Sequence, residues 1–457
     1  MTGRRDSRRR RRSDRRDEIA LAALLVVTVV TDALPAWIRF GHWQKVLGLL
    51  APRERPSALP KRPSEAVSES EGQQPVVGRE PGIRCLVVAG SLDMGGVESV
   101  VSTLALGLPR RGIDVEVVTT CPGRAAETLT RSGVRVTSCP AGGLRALVDA
   151  RKPDVVQLHR PSPELVATLV GSEVPVVPVF HAMESYLDRR AWALLAELTR
   201  PGDPCIAVSE GVRGFFRSRL GGADIQVVVN GVSQVVTGRA PSRVDARQML
   251  GDTIGVELTE EDLLVVGLQR FSDQKNAPGL VDAFVLAADR EPRLRLVLAG
   301  SPDNWLEFRK AEAIGRLSRH SSRIHLLDDS DAETILAAGD VYALDSFAEG
   351  GPLSAVEAVV GGLPVVLSDV GFSAELVASP QVVGVVVPRA NDDYTQRSMA
   401  AQRRRRHQSN REAYAAALLS VLTSGGRGRS ELPARFTLDA MLDGHASVLL
   451  RARARRR

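Results

Sequence analysis

Between residues 83 and 387 the chain repeats one pattern. Short, nearly continuous apolar runs alternate with longer stretches of helical periodicity. Seven such runs cover residues 84–89, 113–119, 135–139, 154–158, 174–180, 206–208 and 225–229. After an irregular connection over 234–262, six more cover 263–267, 295–299, 323–327, 340–344, 364–368 and 382–387. A strand that is apolar on both faces must be covered on both faces. When helices separate such strands, the chain can satisfy them only as parallel sheets flanked by crossover helices. The pattern therefore predicts an α/β fold with two doubly wound, Rossmann-like sheets. Ligands in such sheets meet the carboxyl ends of the strands. A chain of 457 residues has room for two or three domains, each with its own core.

The formal charge of +6 does not point to nucleic acid. Of 60 cations, 55 are Arg and 5 are Lys, a bias that base composition explains. Residues 1–17 hold nine Arg and three Asp, which equals the excess of the whole chain, and five more Arg fall in the last seven residues. The middle is near neutral, and no nucleic-acid-reading motif is present. Four scattered cysteines without C-x-x-C, and seven histidines without H-x-x-x-H, suit a reduced, cytoplasmic protein with no structural metal.

The basic arm precedes twelve mostly apolar residues, 19–30, too few to span a bilayer. Phe40, Trp43, Leu47 and Leu50 then share one helical face beside Arg39 and Lys45. Two readings are open for residues 1–50. One is peripheral contact with the inner face of a membrane. The other is a helical hairpin docked on a partner protein or on the enzyme itself. Residues 51–82, rich in Pro, Ser, Glu and Arg, read as a linker.

Several features lie where strands end. Gly95 and Gly96 open a helix after the first run. His181 follows the run V-P-V-F, and His159 follows the run that ends at Leu158. Asn230-Gly231 closes the seventh run and reads as structural punctuation. In G-L-Q-R-F-S-D-Q-K-N, Arg270 and Lys275 sit on the loop into a helix. Lys275 is one of only five lysines in a chain that otherwise uses arginine. Residues 346–371 read S-F-A-E-G-G-P-L-S-A-V-E-A-V-V-G-G-L-P-V-V-L-S-D-V-G. Glu349 stands on a loop followed by Gly350, Gly351 and Pro352, and Leu353 opens a helix that carries Glu357 and stops at Gly361-Gly362. Free backbone N–H groups at such a helix start suit phosphate or hydroxyl oxygens.

These residues resemble the glutamate-pair and cation motifs of glycosyltransferase family 4, over about residues 83–450. The resemblance implies the GT-B fold, two Rossmann-like domains with a cleft between them, here with a helical basic N-terminal extension. It implies a retaining, metal-independent transfer of a sugar from a nucleoside diphosphate sugar, with no further cofactor. Arg270 and Lys275 would hold the diphosphate, Glu349 the donor sugar, Glu357 the ribose, Gly95 and Gly96 the phosphate, and His181 the sugar ring. Gly350, Gly351, Pro352 and Leu353 would complete the donor site. The acceptor (lipid, glycan, peptide or small natural product) is left open. An inactive scaffold, an epimerase or a phosphorylase on the same fold are the alternatives. The chain departs from the family at Ser301-Pro302 and at Phe372, where glycine is usual, and in a polar segment, 391–410, that reads as an exposed insertion. The expected layout is residues 1–50 as extension, 51–82 as linker, 83–240 as acceptor domain and 241–435 as donor domain. Residues 436–450 form a helix returning to the first domain, and 451–457 a disordered tail.

Overall fold

A computed structural model describes residues 2–39, 42–61, 82–93, 95–232, 240–423, 427–428 and 432–455; for residues 2–14, 36, 37 and 42 it describes the backbone alone. The side chains of the basic arm's first fourteen residues, Phe40, most of the expected linker and the last two residues lie outside that description.

The chain forms two compact units. One comprises residues 64–234, 350–353 and 433–457; the other comprises residues 1–63, 235–349 and 354–432. The first holds a parallel seven-stranded sheet of β1 (Ile83–Leu92), β2 (Ile113–Pro122), β3 (Arg135–Ser138), β4 (Val155–His159), β5 (Val176–Phe180), β6 (Pro204–Ala207) and β7 (Asp224–Val227), in the order β3-β2-β1-β4-β5-β6-β7. The second holds a parallel six-stranded sheet of β8 (Leu263–Leu268), β9 (Leu294–Ala299), β10 (Ile324–Leu327), β11 (Val341–Leu344), β12 (Val365–Ser368) and β13 (Gly384–Val387), in the order β10-β9-β8-β11-β12-β13. Each sheet reverses its strand order next to its first strand, and a reversal of this kind opens a crevice for a ligand. Each apolar run of the sequence corresponds to one of these strands. Central strands such as β4 and β11 are buried at every residue, which is why they read as continuous rather than alternating.

The terminal helix, Leu438–Ala454, packs within the seven-stranded unit against β4, β5 and β6. It corrects the expected disordered tail. Ala452 is buried, and Arg451 and Arg453 stand 3.9 and 3.7 Å from Asp224 and Asp154, so the helix runs on to Ala454.

The extension belongs to the six-stranded unit. A 32-residue helix, Thr2–Ala33, packs against the Trp305–Leu317 helix. Leu21 is buried in the core cluster with Phe308, Ala311 and Ile314, and Leu24 and Leu25 pack on it. Thr28 and Thr31 are also buried, each hydroxyl donating back to a carbonyl one turn earlier. The twelve-residue apolar run is therefore divided. One face is core, while Ile19, Val26, Val29 and Val30 stay exposed. The hairpin closes where Trp43 Nε1 donates to Thr31 Oγ1 at 2.9 Å and Leu47 is buried. No helix among the described residues is long and apolar enough to cross a membrane.

An ion network seals this docking. Asp32 pairs with Arg39 (3.0 Å) and with Arg403; Arg39 and Arg403 (3.2 Å) both reach Asp273; Arg403 also binds Glu307 (2.6 Å), which binds Lys310 (2.9 Å). Three carboxylates face three cations that are no more than 14% exposed, and Arg404, 37% exposed, reaches Asp32 at 3.3 Å from outside. Buried charges persist only when paired in this way.

Two further expectations are corrected here. Segment 391–410 is not a solvated insertion. Asn391, Gln402, Arg403, Gln408 and Asn410 are all buried, and each makes at least one hydrogen bond inside the unit. The first part of the expected linker is also docked. Leu59 is 1% exposed, its N–H donates to Ser330 Oγ, and Ser57 and Leu59 carbonyls accept from Asp328 and Asp331. Leu59 is the one large apolar side chain in residues 51–61.

Candidate functional site

In the six-stranded unit the loops after β8 and β11 meet at the carboxyl ends of adjacent strands. The first carries Arg270 and Lys275, and the second carries Glu349. Lys275 Nζ lies 2.6 Å from Glu349 Oε1, which also accepts from Ser346 Oγ at 2.7 Å. Both partners are largely buried, at 18% and 11% side-chain exposure. A backbone bond ties the loops, Phe347 N–H to the Gln274 carbonyl at 2.8 Å. Arg270 is different: it pairs with Asp303 at 2.8 Å on the surface, with 61% of its side chain exposed. The structure thus joins Lys275 to Glu349 and leaves Arg270 apart. An exposed Arg held by one surface carboxylate can swing at small cost.

Behind the motif, Tyr342 is wholly buried and its hydroxyl is 2.6 Å from Ser354 Oγ in the Leu353–Val360 helix. Burial first, then the carboxylates of Glu349 and Glu357, push its phenol far above the usual range. Glu357 itself reaches solvent, yet the packed protein behind it strips part of its hydration. That desolvation, with the charge of Glu333, raises its carboxyl above the ordinary range. Gln269, next to Arg270, is buried with neither amide atom bonded, so the site holds unspent hydrogen-bonding capacity.

Two acids here escaped the sequence reading. Asp273 lies inside the R-F-S-D-Q-K run, held by Arg39, Arg403 and Asn304 Nδ2. Asp345, just before the glutamate motif, is buried and accepts from Asn276 Nδ2 (3.0 Å) and Asn410 Nδ2 (2.8 Å). Burial pushes its carboxyl up to about 7. Trp305, half-buried and edge-on to Phe308, caps the core.

The seven-stranded unit contains the other candidates. Residues 350–353 group with it. A Cβ on Gly350 would stand 1.7 Å from the carbonyl oxygen of His181, so no other residue fits. One on Gly96, at the start of the Gly96–Gly107 helix, would be 4.0 Å from Leu353 Cδ1. Gly95 caps that helix with extended backbone and is exposed; Gly351 is half-buried and Pro352 buried. Gly231 would clash with the Thr437 carbonyl at 2.1 Å, in keeping with a structural turn.

His181 is the end of a buried chain. His181 Nε2 is 2.8 Å from His159 Nδ1; His159 Nε2 is 3.2 Å from Gln157 Oε1; Gln157 Nε2 is 2.8 Å from His445 Nδ1. The His159 ring stacks between those of His181 and His445, at centroid distances of 5.1 and 6.3 Å. Burial alone holds His445 at about 3; burial reinforced by the charges of His445 and Arg160 holds His181 at about 3, and burial with those of His181 and His445 holds His159 well below its ordinary value. A histidine held neutral offers a fixed donor or acceptor, not a proton. The partner residues were not visible in sequence, since Gln157 sits mid-strand and His445 is nearly three hundred residues away.

Residues 94–234 match the profile described as Glycosyltransferase Family 4, and residues 254–424 match Glycosyl transferases group 1. A D-inositol 3-phosphate glycosyltransferase of Kineococcus radiotolerans is 27% identical over 69% of this chain and 83% of its own. The protein of that name from Mycobacterium tuberculosis is 27% identical over 65% of this chain and 71% of its own. In fold, the chain is similar to a glycosyltransferase from Rickettsia africae, with a TM-score of 0.61, 14% identity, and coverage of 82% of this chain and 99% of that one. It is also similar to Anabaena HepE, solved with UDP and glucose, with a TM-score of 0.58, 20% identity, and 81% and 100% coverage.

Proposed function

The chain belongs to glycosyltransferase family 4, with the GT-B fold, and from that premise we propose a retaining, metal-independent hexosyltransferase that uses a nucleoside diphosphate sugar. One observation carries the reading: Lys275 and Glu349, both largely buried, stand 2.6 Å apart. A cation stored on a carboxylate beside a helix start is poised to exchange partners. On donor binding, the diphosphate takes Lys275 and Glu349 turns to the sugar hydroxyls. Arg270 swings from Asp303 to the same phosphates, and Glu357 accepts from the ribose diol. As the glycosidic bond breaks, the leaving diphosphate gains charge, which these fixed cations and the helix N-terminus stabilise. The neutral His181 orients the sugar ring, and the leaving phosphate assists deprotonation of the acceptor. The UDP of the Anabaena neighbour makes UDP the first nucleotide to test. Transfer assayed in EDTA, with the anomeric configuration read by NMR, tests both adjectives. Inversion, or a strict metal requirement, contradicts the reading.

For residues 1–50 the exposed ridge of Ile19, Val26, Val29 and Val30, downstream of nine arginines, favours a peripheral membrane contact at the cytoplasmic face in addition to the docking. Val26→Glu with Val30→Glu should abolish co-sedimentation with anionic vesicles and leave the melting temperature unchanged. Undiminished co-sedimentation contradicts the contact.

A further inference from the structure

We infer that the N-terminal hairpin and segment 391–410 form a clasp that positions the loop 270–276, so that residues outside the family motifs set donor affinity. The inference rests on the reading of Arg270 and Lys275 as the diphosphate site. The hairpin lies outside the two matched family profiles, residues 94–234 and 254–424, while segment 391–410 lies inside the second.

The geometry is specific. Lys275 and Gln274 lie between Asp273 and Asn276, and both flanking residues are gripped from outside the loop. Asp273 is held on one side by Arg39 from the hairpin and on the other by Arg403, at 3.2 Å, from segment 391–410. Asp32 in turn binds both arginines, which locks the hairpin to the segment. Asn276 is held by Gln408 through two reciprocal amide bonds of 2.7 Å. That grip has a reason in the backbone. Asn276 adopts a left-handed conformation, with φ of 48°, a strained choice for a residue other than glycine. The paired amides hold it there, and the turn delivers Lys275 toward Glu349. All these groups are 14% exposed or less, so water does not compete for them.

Arg39, Arg403 and Gln408 are therefore positioning residues. They do not touch the donor; they fix the backbone that carries its cation. A mobile loop would pay an ordering cost on each binding event, and a clasped loop does not.

The test uses the full chain. Arg39→Met should keep the fold yet speed hydrogen exchange at backbone amides of 270–276, and weaken by about tenfold the binding of whichever of UDP, GDP and ADP the wild type binds best. Arg39→Lys should restore most of the affinity. Gln408→Leu, which leaves the ion network alone, should give the same loop exchange and the same loss of affinity. Unchanged exchange in both folded variants overturns the clasp. So does faster exchange with unchanged nucleotide affinity. If the wild type binds no nucleotide, the diphosphate reading fails, while hydrogen exchange still decides whether the loop is held.

Discussion

In the proposed reaction the chemistry turns on Lys275 and Glu349, which form one ion pair. Lys275→Ala removes the cation proposed for the diphosphate and leaves Glu349 largely buried beside Ser346. A loss of roughly 10²–10³-fold in kcat/KM is expected, the scale for removing one charge-stabilising donor. Steady-state kinetics at saturating acceptor check it, and full activity would contradict the assignment. His181 predicts a pH result. Because burial holds His181 and His445 at about 3 and His159 well below its ordinary value, no ionisation of these histidines should appear in the kcat/KM profile between pH 5 and 8. The same shifts affect stability. The folded values lie below the unfolded one, so the unfolded state binds more protons between about 6.5 and 3. The fold then loses stability as pH falls through that window. Melting of Gln157→Leu against pH measures how much the buried chain contributes, and a flat wild-type profile would contradict it.

At the level of elements, loops inside the recognised motifs were legible and their supports were not. The Leu353–Val360 helix and its glycine stop follow from local spacing, as do all the strands, because each is set by residues adjacent in sequence. Segment 391–410 misled for a physical reason. A run such as R-R-R-R marks solvent unless distant carboxylates exist to receive it, and Arg403 finds Asp32 and Glu307. The apolar run 19–30 was likewise ambiguous, since a one-faced helix can serve a protein or a lipid. Asp32 and Glu307 also define the test of this element. Arg403→Met would leave three buried carboxylates short of a cation and should cost about 3–5 kcal/mol. Replacing an exposed neighbour, Arg405→Met, should cost almost nothing; equal effects in urea unfolding would contradict the buried network. The network should also fail in acid. Asp273, held at about 2 by Arg403 and Arg39 despite its burial, keeps its contribution above about pH 4 and loses it as pH falls through 2.

For the whole molecule, the two sheets account for the division of labour. The seven-stranded unit holds the neutral histidine chain, and the six-stranded unit holds the cation, the glutamates and the segments that brace them. The sequence reading reached both sheets and the cation and glutamate motifs. It missed Asp273, Asp345, Gln157 and His445, whose roles exist only once distant segments pack. The measurement that bears most directly on the central claim is thermal unfolding of the full chain in EDTA with UDP, GDP or ADP. A nucleotide at a hundred times its dissociation constant adds about 2.7 kcal/mol to the folded state. The account predicts an upward shift of the melting temperature with one base, abolished by Lys275→Ala. No shift with any of the three would contradict a nucleoside diphosphate site in this chain.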